Sequence, residues 1–164
     1  MVNHLKNPED TWYFAYGSNL DVRQKEHRTG TIRHAEPCRL PEYRFAFNKR
    51  GLDGYCRANI VADSASTVWG VAYLCDPTAL HEMDKSEGVA GGHYERAPII
   101  VFTNSAERLE AITYVAGSKY ICAEGAPSAE YLQRILGGAR RSGLPEEYIG
   151  SIESLARRLS ARRR

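Results

Sequence analysis

Two places in the sequence carry residue types that could do chemistry. The first is a corner within Trp12–Arg23, where an aromatic run ends abruptly in Tyr16-Gly17-Ser18-Asn19. A strand that ends this way ahead of a helical turn exposes consecutive backbone N–H groups, and such a concavity suits a carboxylate or a developing oxyanion. Gly17 would let a ligand approach the backbone closely, and Ser18 and Asn19 could add side-chain hydrogen bonds. A capped turn, with Ser18 or Asn19 as the cap, explains the same residues. On this segment alone both readings stay open. Ser18 could also be a nucleophile on a strand-to-helix elbow, but glycine stands on only one side of it and no partner histidine is evident.

The second place is Glu87, where "MDKSEGV" runs into the glycine-rich "EGVAGG". A carboxylate at a helix C-terminus faces the unfavourable end of the macrodipole, so its pKa tends upward, as a general acid/base working near neutrality requires. Taken by itself, Glu87 reads as an exposed residue before a capping glycine, with Glu82 and Asp84 solvated on the same helix. The histidines (His4, His27, His34, His81, His93) show no H-E-x-x-H spacing, and Cys38, Cys56, Cys75 and Cys122 form no C-x-x-C pair. Neither a metal nor a cofactor is implied.

Elements must position these residues. "TWYFAYG" is β-branched and aromatic and reads as a first strand, followed by a helical turn over Asn19 to His27. "YRFAFNK" alternates, with Tyr43, Phe45 and Phe47 on one face. "RGLDGY" is a turn, and "CRANIVA" and "STVWGVAYLC" are two further strands, the second apolar enough to be covered on both faces. Pro77 opens a short helix that Gly88 stops. "HYERAPIIVF" and "LEAITYVA" form a hairpin around "TNSAER". Apolar residues at helical spacing (Tyr131, Ile135; Tyr148, Ile152, Leu155, Leu159) then mark two terminal helices. Strands first, one inserted helix, then helices predict an α+β fold on a small mixed, barrel-like sheet. No G-x-G-x-x-G or P-loop pattern occurs, which argues against a doubly wound nucleotide-binding fold.

Composition narrows the class. The chain has 164 residues, 43% of them apolar, and a formal net charge of +2, as expected for a single globular domain over 1–164 with a lead at 1–11 and a basic tail at 157–164. Ten tyrosines against four phenylalanines suit a cleft whose walls both pack and hydrogen-bond. The tail "RRLSARRR" reads as a solvated helix end; contact with RNA or anionic lipid is the alternative, to be recognised by its salt dependence. Without an apolar leader or a bilayer-length apolar run, the expectation is a cytoplasmic protein without nucleic-acid or membrane partners.

Together, "YFAYGSNL", "VWGVAYLC", "LHEMDKSEGVAGGHYER" and a later "YL" helix with "GLPEEY" resemble the γ-glutamylcyclotransferase family, in this order and at similar spacing. The resemblance runs from about Trp12 to about Ile152. It implies a small barrel-like sheet with flanking helices (the AIG2-like fold), and an enzyme that turns a small-molecule γ-glutamyl amide into 5-oxoproline and a free amine without a cofactor. It further implies that Tyr13, Phe14, Ala15, Tyr16, Gly17 and Ser18, with Asn19, bind substrate. Glu87 would be the acid/base, and Tyr131 would reach the substrate from the later helix. The family suggests a homodimer. A non-catalytic module that binds a small acidic ligand in the same pocket is the alternative.

Overall fold

The computed structural model describes residues 1–163; Arg164, the end of the basic tail, lies outside the described residues. The chain forms β1 (Thr11–Ala15), α1 (Val22–Thr29), β2 (Ala35–Arg50), β3 (Cys56–Cys75), α2 (Pro77–Ser86), β4 (Tyr94–Thr103), β5 (Arg108–Ala116), α3 (Ala129–Arg141) and α4 (Glu146–Arg163). The strands close into a barrel in the order β1-β3-β2-β4-β5. Every neighbouring pair is antiparallel except the seam, where β5 meets β1 in parallel at Trp12↔Ala111 and Tyr13↔Ile112. This is the expected α+β architecture.

Hydrophobic burial organises the barrel. Trp12, Phe14, Phe47, Val68, Tyr73 and Leu109 are fully buried, and Phe45 meets Phe47 edge-on at 4.9 Å between ring centroids. The two strand segments read separately as "CRANIVA" and "STVWGVAYLC" are one strand, β3. The polar stretch between them is a bulge in β3 itself: pairing jumps from Pro41↔Thr67 to Tyr43↔Ala62, so Asp63–Ser66 stand opposite Glu42 alone, which is left-handed at φ 69°. Within the stretch, the Asp63 carboxylate accepts the Ala65 N–H at 3.0 Å and the Ser66 hydroxyl at 2.7 Å. A polar interruption thus marks a bulged face, not a strand end.

The corner after β1 also differs from a capped helix start. Ser18–Leu20 is a separate 3-10 turn, and α1 begins only at Val22, capped by the Asp21 carboxylate accepting from the Arg23 N–H. The four cysteines are free; Cys56 and Cys122 lie with sulfurs 3.7 Å apart. Near the end of α4 the Arg163 guanidinium covers the Tyr55 ring at 4.0 Å and donates to the Gly54 carbonyl at 3.0 Å, so the tail is docked at this point while Arg157, Arg158 and Arg162 are exposed. Among the described residues, no helix is long and apolar enough to cross a membrane.

α3 is the element that braces the corner. It buries Ile135, Leu136 and Ala139, and it lies on the backbone just past the corner through Gly138, where a Cβ would stand 2.3 Å from the Leu20 carbonyl carbon and 2.7 Å from the Asp21 nitrogen. Backbone cannot yield as a side chain can. At neighbouring Gly137, a Cβ would meet only the flexible end of Arg141 at 3.2 Å. The two adjacent glycines should therefore respond with opposite signs. In urea unfolding followed by circular dichroism, Gly137→Ala should gain about 0.5–1 kcal/mol from helix propensity. Gly138→Ala should lose about 1–3 kcal/mol through overpacking.

Candidate active site

The end of β1 and the end of α2 are brought together by the side chain of Asn19. This residue is only 3% exposed. Its Nδ2 donates to Glu87 Oε1 at 2.9 Å and to the Tyr13 hydroxyl at 2.9 Å, with Met83 Sδ at 3.3 Å; its Oδ1 accepts from Gln24 at 3.1 Å and from Arg28 Nη1 at 3.1 Å. Its own carbonyl accepts from the Tyr73 hydroxyl at 2.8 Å. One residue therefore ties the corner to β1, α1 and α2 through its side chain and to β3 through its backbone carbonyl.

Glu87 is placed by the geometry of its helix end. Asp76 caps the start of α2, Pro77 follows, and the helix closes at Glu87 before Gly88 turns left-handed at φ 65°. The Glu87 side chain is 14% exposed, with the Arg28 guanidinium 3.7 Å from Oε1. Burial pushes its pKa above the ordinary range; Arg28, the Asn19 hydrogen bond and Lys49 oppose the shift without cancelling it. The helix-end position argues in the same direction, but burial is the leading cause. Asp84, expected to be solvated, instead holds Arg96 through two short hydrogen bonds and accepts the Tyr114 hydroxyl at 2.6 Å.

Tyr13, Tyr16, Gly17, Ser18, Asn19, Glu87 and Tyr131 surround one cleft of about 310 Å³, together with Ala58, Tyr94, Thr113 and Tyr114. Gly17 makes room in it: a Cβ there would stand 3.3 Å from Ala58 and 3.5 Å from the Tyr131 hydroxyl. The Gly17, Ser18 and Asn19 N–H groups find no acceptor among the described residues, because the turn's own bonds begin with the Leu20 N–H. Ser18 Oγ accepts from Gln24 at 2.7 Å and has no histidine beside it. Among the described residues, no three His, Cys, Asp or Glu side chains gather as a metal cage would need.

The tyrosines sort by where their protons go. Tyr16 donates to the Tyr114 carbonyl at 2.5 Å, Tyr94 to the Ala58 carbonyl at 2.8 Å, and Tyr114 to Asp84. Their oxygens are left as acceptors. Tyr13 accepts from Asn19 and Tyr131 accepts from the Ala58 N–H at 2.9 Å, so both keep a proton to donate. Burial holds all of these hydroxyls neutral, raising Tyr131 to about 12 and Tyr13, Tyr16 and Tyr94 well above their usual range. The cleft can thus receive a small molecule bearing both a cation and an anion, with a basic carboxylate beside it.

Residues 67–152 match the AIG2-like family, a span that includes Glu87 and Tyr131. The chain belongs to the AIG2-like family. It is 30% identical over 152 residues to a Bos taurus protein named gamma-glutamylcyclotransferase, covering 90% of this chain and 79% of that one. The Homo sapiens protein of the same name is 29% identical over the same shares. Among solved structures, one titled gamma-glutamyl cyclotransferase superposes with a TM-score of 0.81 at 26% identity, covering 88% of this chain and 87% of that one.

In this AIG2-like chain, two expected site residues fall outside the cleft. Phe14 is fully buried, with its ring edge against Gly70, and the Ala15 carbonyl packs on the same glycine. Alternation along β1 turns Phe14 into the packed interior, and Ala15 is too short to reach the ligand space. Sequence reasoning missed Tyr94, Tyr114, Thr113 and Ala58. The tyrosine-rich composition was the one signal pointing to the first two. An ionised carboxylate kept partly out of water destabilises the fold, which gives a pH test with a defined sign. A group whose folded pKa is raised supports the fold when protonated, and that support fades as pH rises through the folded value. Glu87→Gln should therefore be more stable than the parent at pH 7, and thermal melts should show the difference closing as pH falls toward 4.

Proposed function

We propose that the chain is a γ-glutamylcyclotransferase: it closes the γ-glutamyl group of an amide on itself, releasing 5-oxoproline and the amine. The observation that carries this reading is the Asn19–Glu87 pair at one wall of a small tyrosine-lined cleft, on a chain similar over most of its length to proteins of that name. In the reaction the substrate's α-amine nitrogen attacks its own γ-carbonyl carbon. The new C–N bond closes a five-membered ring, and the amide C–N bond to the departing amine breaks.

The assigned roles follow from the chemistry of the groups present. Glu87 takes one proton from the α-ammonium to free its lone pair, and after the ring closes a second leaves the same nitrogen; both end on the departing amine, a relay worth about 10²–10⁴-fold. Its upward-shifted pKa makes it a stronger base than a solvated glutamate while the Asn19 donor keeps Oε1 oriented. The free N–H groups of Gly17, Ser18 and Asn19, with the Tyr131 hydroxyl, serve the carboxylate or the oxyanion of the tetrahedral intermediate. The proton-spent oxygens of Tyr16 and Tyr94 suit the ammonium. Folding the substrate into attack geometry supplies the largest share, since well-oriented intramolecular reactions reach about 10⁵–10⁸ M.

Two measurements test this reading. Purified protein incubated with γ-glutamyl-alanine should release 5-oxoproline, detected by mass spectrometry, and Glu87→Gln should lower kcat by about 10²–10⁴-fold. Ligand binding without turnover would instead support a non-catalytic module. The rate should fall in acid along a limb centred above the solvated glutamate value of about 4.3. Asn19→Ala removes a hydrogen bond to the charged form, so it should move that limb to higher pH. An unmoved limb in Asn19→Ala would detach Glu87 from the proton transfer.

A further inference from the structure

A second, wider depression of about 640 Å³ shares Glu87, Ser18, Tyr94 and Tyr131 with the cleft. Its remaining walls include three cations, Arg28, Lys49 and Arg57. Two of these have a carboxylate neighbour. Arg57 makes two hydrogen bonds to Asp53, at 3.2 and 3.0 Å, and Arg28 stands 3.7 Å from Glu87. Lys49 is different. It is only 5% exposed, yet it makes no ion pair with a carboxylate among the described residues.

What surrounds Lys49 holds its position without neutralising it. Its ammonium donates to His93 Nδ1 at 2.8 Å, which leaves that imidazole neutral with its proton on Nε2. Tyr120 stacks on His93 at 4.0 Å, and the Lys49 nitrogen lies 4.8 Å over the Tyr120 ring and 5.3 Å over Tyr94. The His93 carbonyl accepts the Gly117 N–H at 3.0 Å, fixing the loop that carries Tyr120. Burial, reinforced by Arg57, weakens the hold of Lys49 on its proton. Glu87 opposes that shift, but only at longer range than a contact pair. A buried ammonium with no carboxylate in contact is costly, and an arriving anion would be bound strongly in compensation.

We infer that Lys49, held by His93 and Tyr120, is a specificity-determining residue on the leaving-group side: it binds an anionic substituent of the departing amine. This rests on the cyclotransferase reading above. The glutamyl group belongs in the closed cleft, where the tyrosine oxygens and free N–H groups can satisfy both of its charges. Glu87, which moves the proton to the leaving nitrogen, borders both spaces, so that nitrogen sits at their junction and its substituents extend toward Lys49. An amino acid leaving group carries a carboxylate into this space; a simple alkylamine does not.

The test compares γ-glutamyl-alanine with γ-glutamyl-alaninamide, which differ by one charge and hardly in shape. The parent protein should prefer the carboxylate by about 10- to 100-fold in kcat/KM, the range expected of a hydrogen bond to a charged group. In Lys49→Met, which keeps the length and apolar packing of the side chain, that ratio should collapse toward one. Equal turnover of both substrates by the parent would overturn the inference. So would a Lys49→Met variant that loses both equally, since Lys49 would then serve the glutamyl carboxylate. If neither substrate yields 5-oxoproline with the parent protein, the cyclotransferase reading itself fails, a result distinct from both.

Discussion

The hydrogen bond from Asn19 to Glu87 joins two parts of the chain far apart in sequence, and most of the cleft takes its shape from it. A carboxylate partly withdrawn from water needs donors of fixed direction, and an amide in a 3-10 turn offers one. The turn in turn needs support, because three N–H groups at its start are left without partners among the described residues. That support comes from α3 lying on the Leu20–Asp21 backbone, from the Tyr73 hydroxyl on the Asn19 carbonyl, and from Gln24 and Arg28 on its side-chain oxygen. A polar site is thus carried by apolar packing one layer behind it.

Local features of the sequence made much of this legible. The β1 strand, the proline-started α2, the β4–β5 hairpin and the two terminal helices all follow from short-range patterns, and so does the placement of Glu87 beside a left-handed glycine. Contacts between distant residues were not legible. Nothing near Asn19 signals that its amide meets residue 87, and nothing near Tyr94 or Tyr114 signals a shared cleft. The polar stretch inside β3 misleads for a related reason: it is a bulge, and the strand resumes its pairing with β2 on both sides of it. Phe14 and Ala15 show the reverse case: the family resemblance placed the whole run from Tyr13 to Ser18 at the site, but alternation turns Phe14 into the core and Ala15 has too short a side chain to line the cleft.

Charge divides the two spaces around Glu87. The inner cleft is lined by neutral hydroxyls and backbone amides, whereas the outer depression holds the cations. In the low-dielectric inner space a fixed charge would dominate every ligand contact, while dipoles can satisfy both ends of a zwitterion. Of the cations, Arg28 and Arg57 have carboxylate neighbours, while Lys49 is buried against His93 and the rings of Tyr94 and Tyr120. Glu87 stands between the two regimes, which raises its basicity on one side and tempers it on the other.

The parallel seam between β1 and β5 has a consequence for how the molecule comes into being. Because the first strand closes against the fifth, the barrel is incomplete until residue 116 is available, and the cleft until Tyr131 arrives. During synthesis β1 must therefore wait while more than half the chain is made, without a partner until Val71–Cys75 of β3 are available and then paired with β3 alone. Such long-range closure slows folding relative to local hairpins and leaves an unpaired edge for its duration. The brevity of β1, five residues beginning at a threonine, limits the edge that a nascent chain would offer to others.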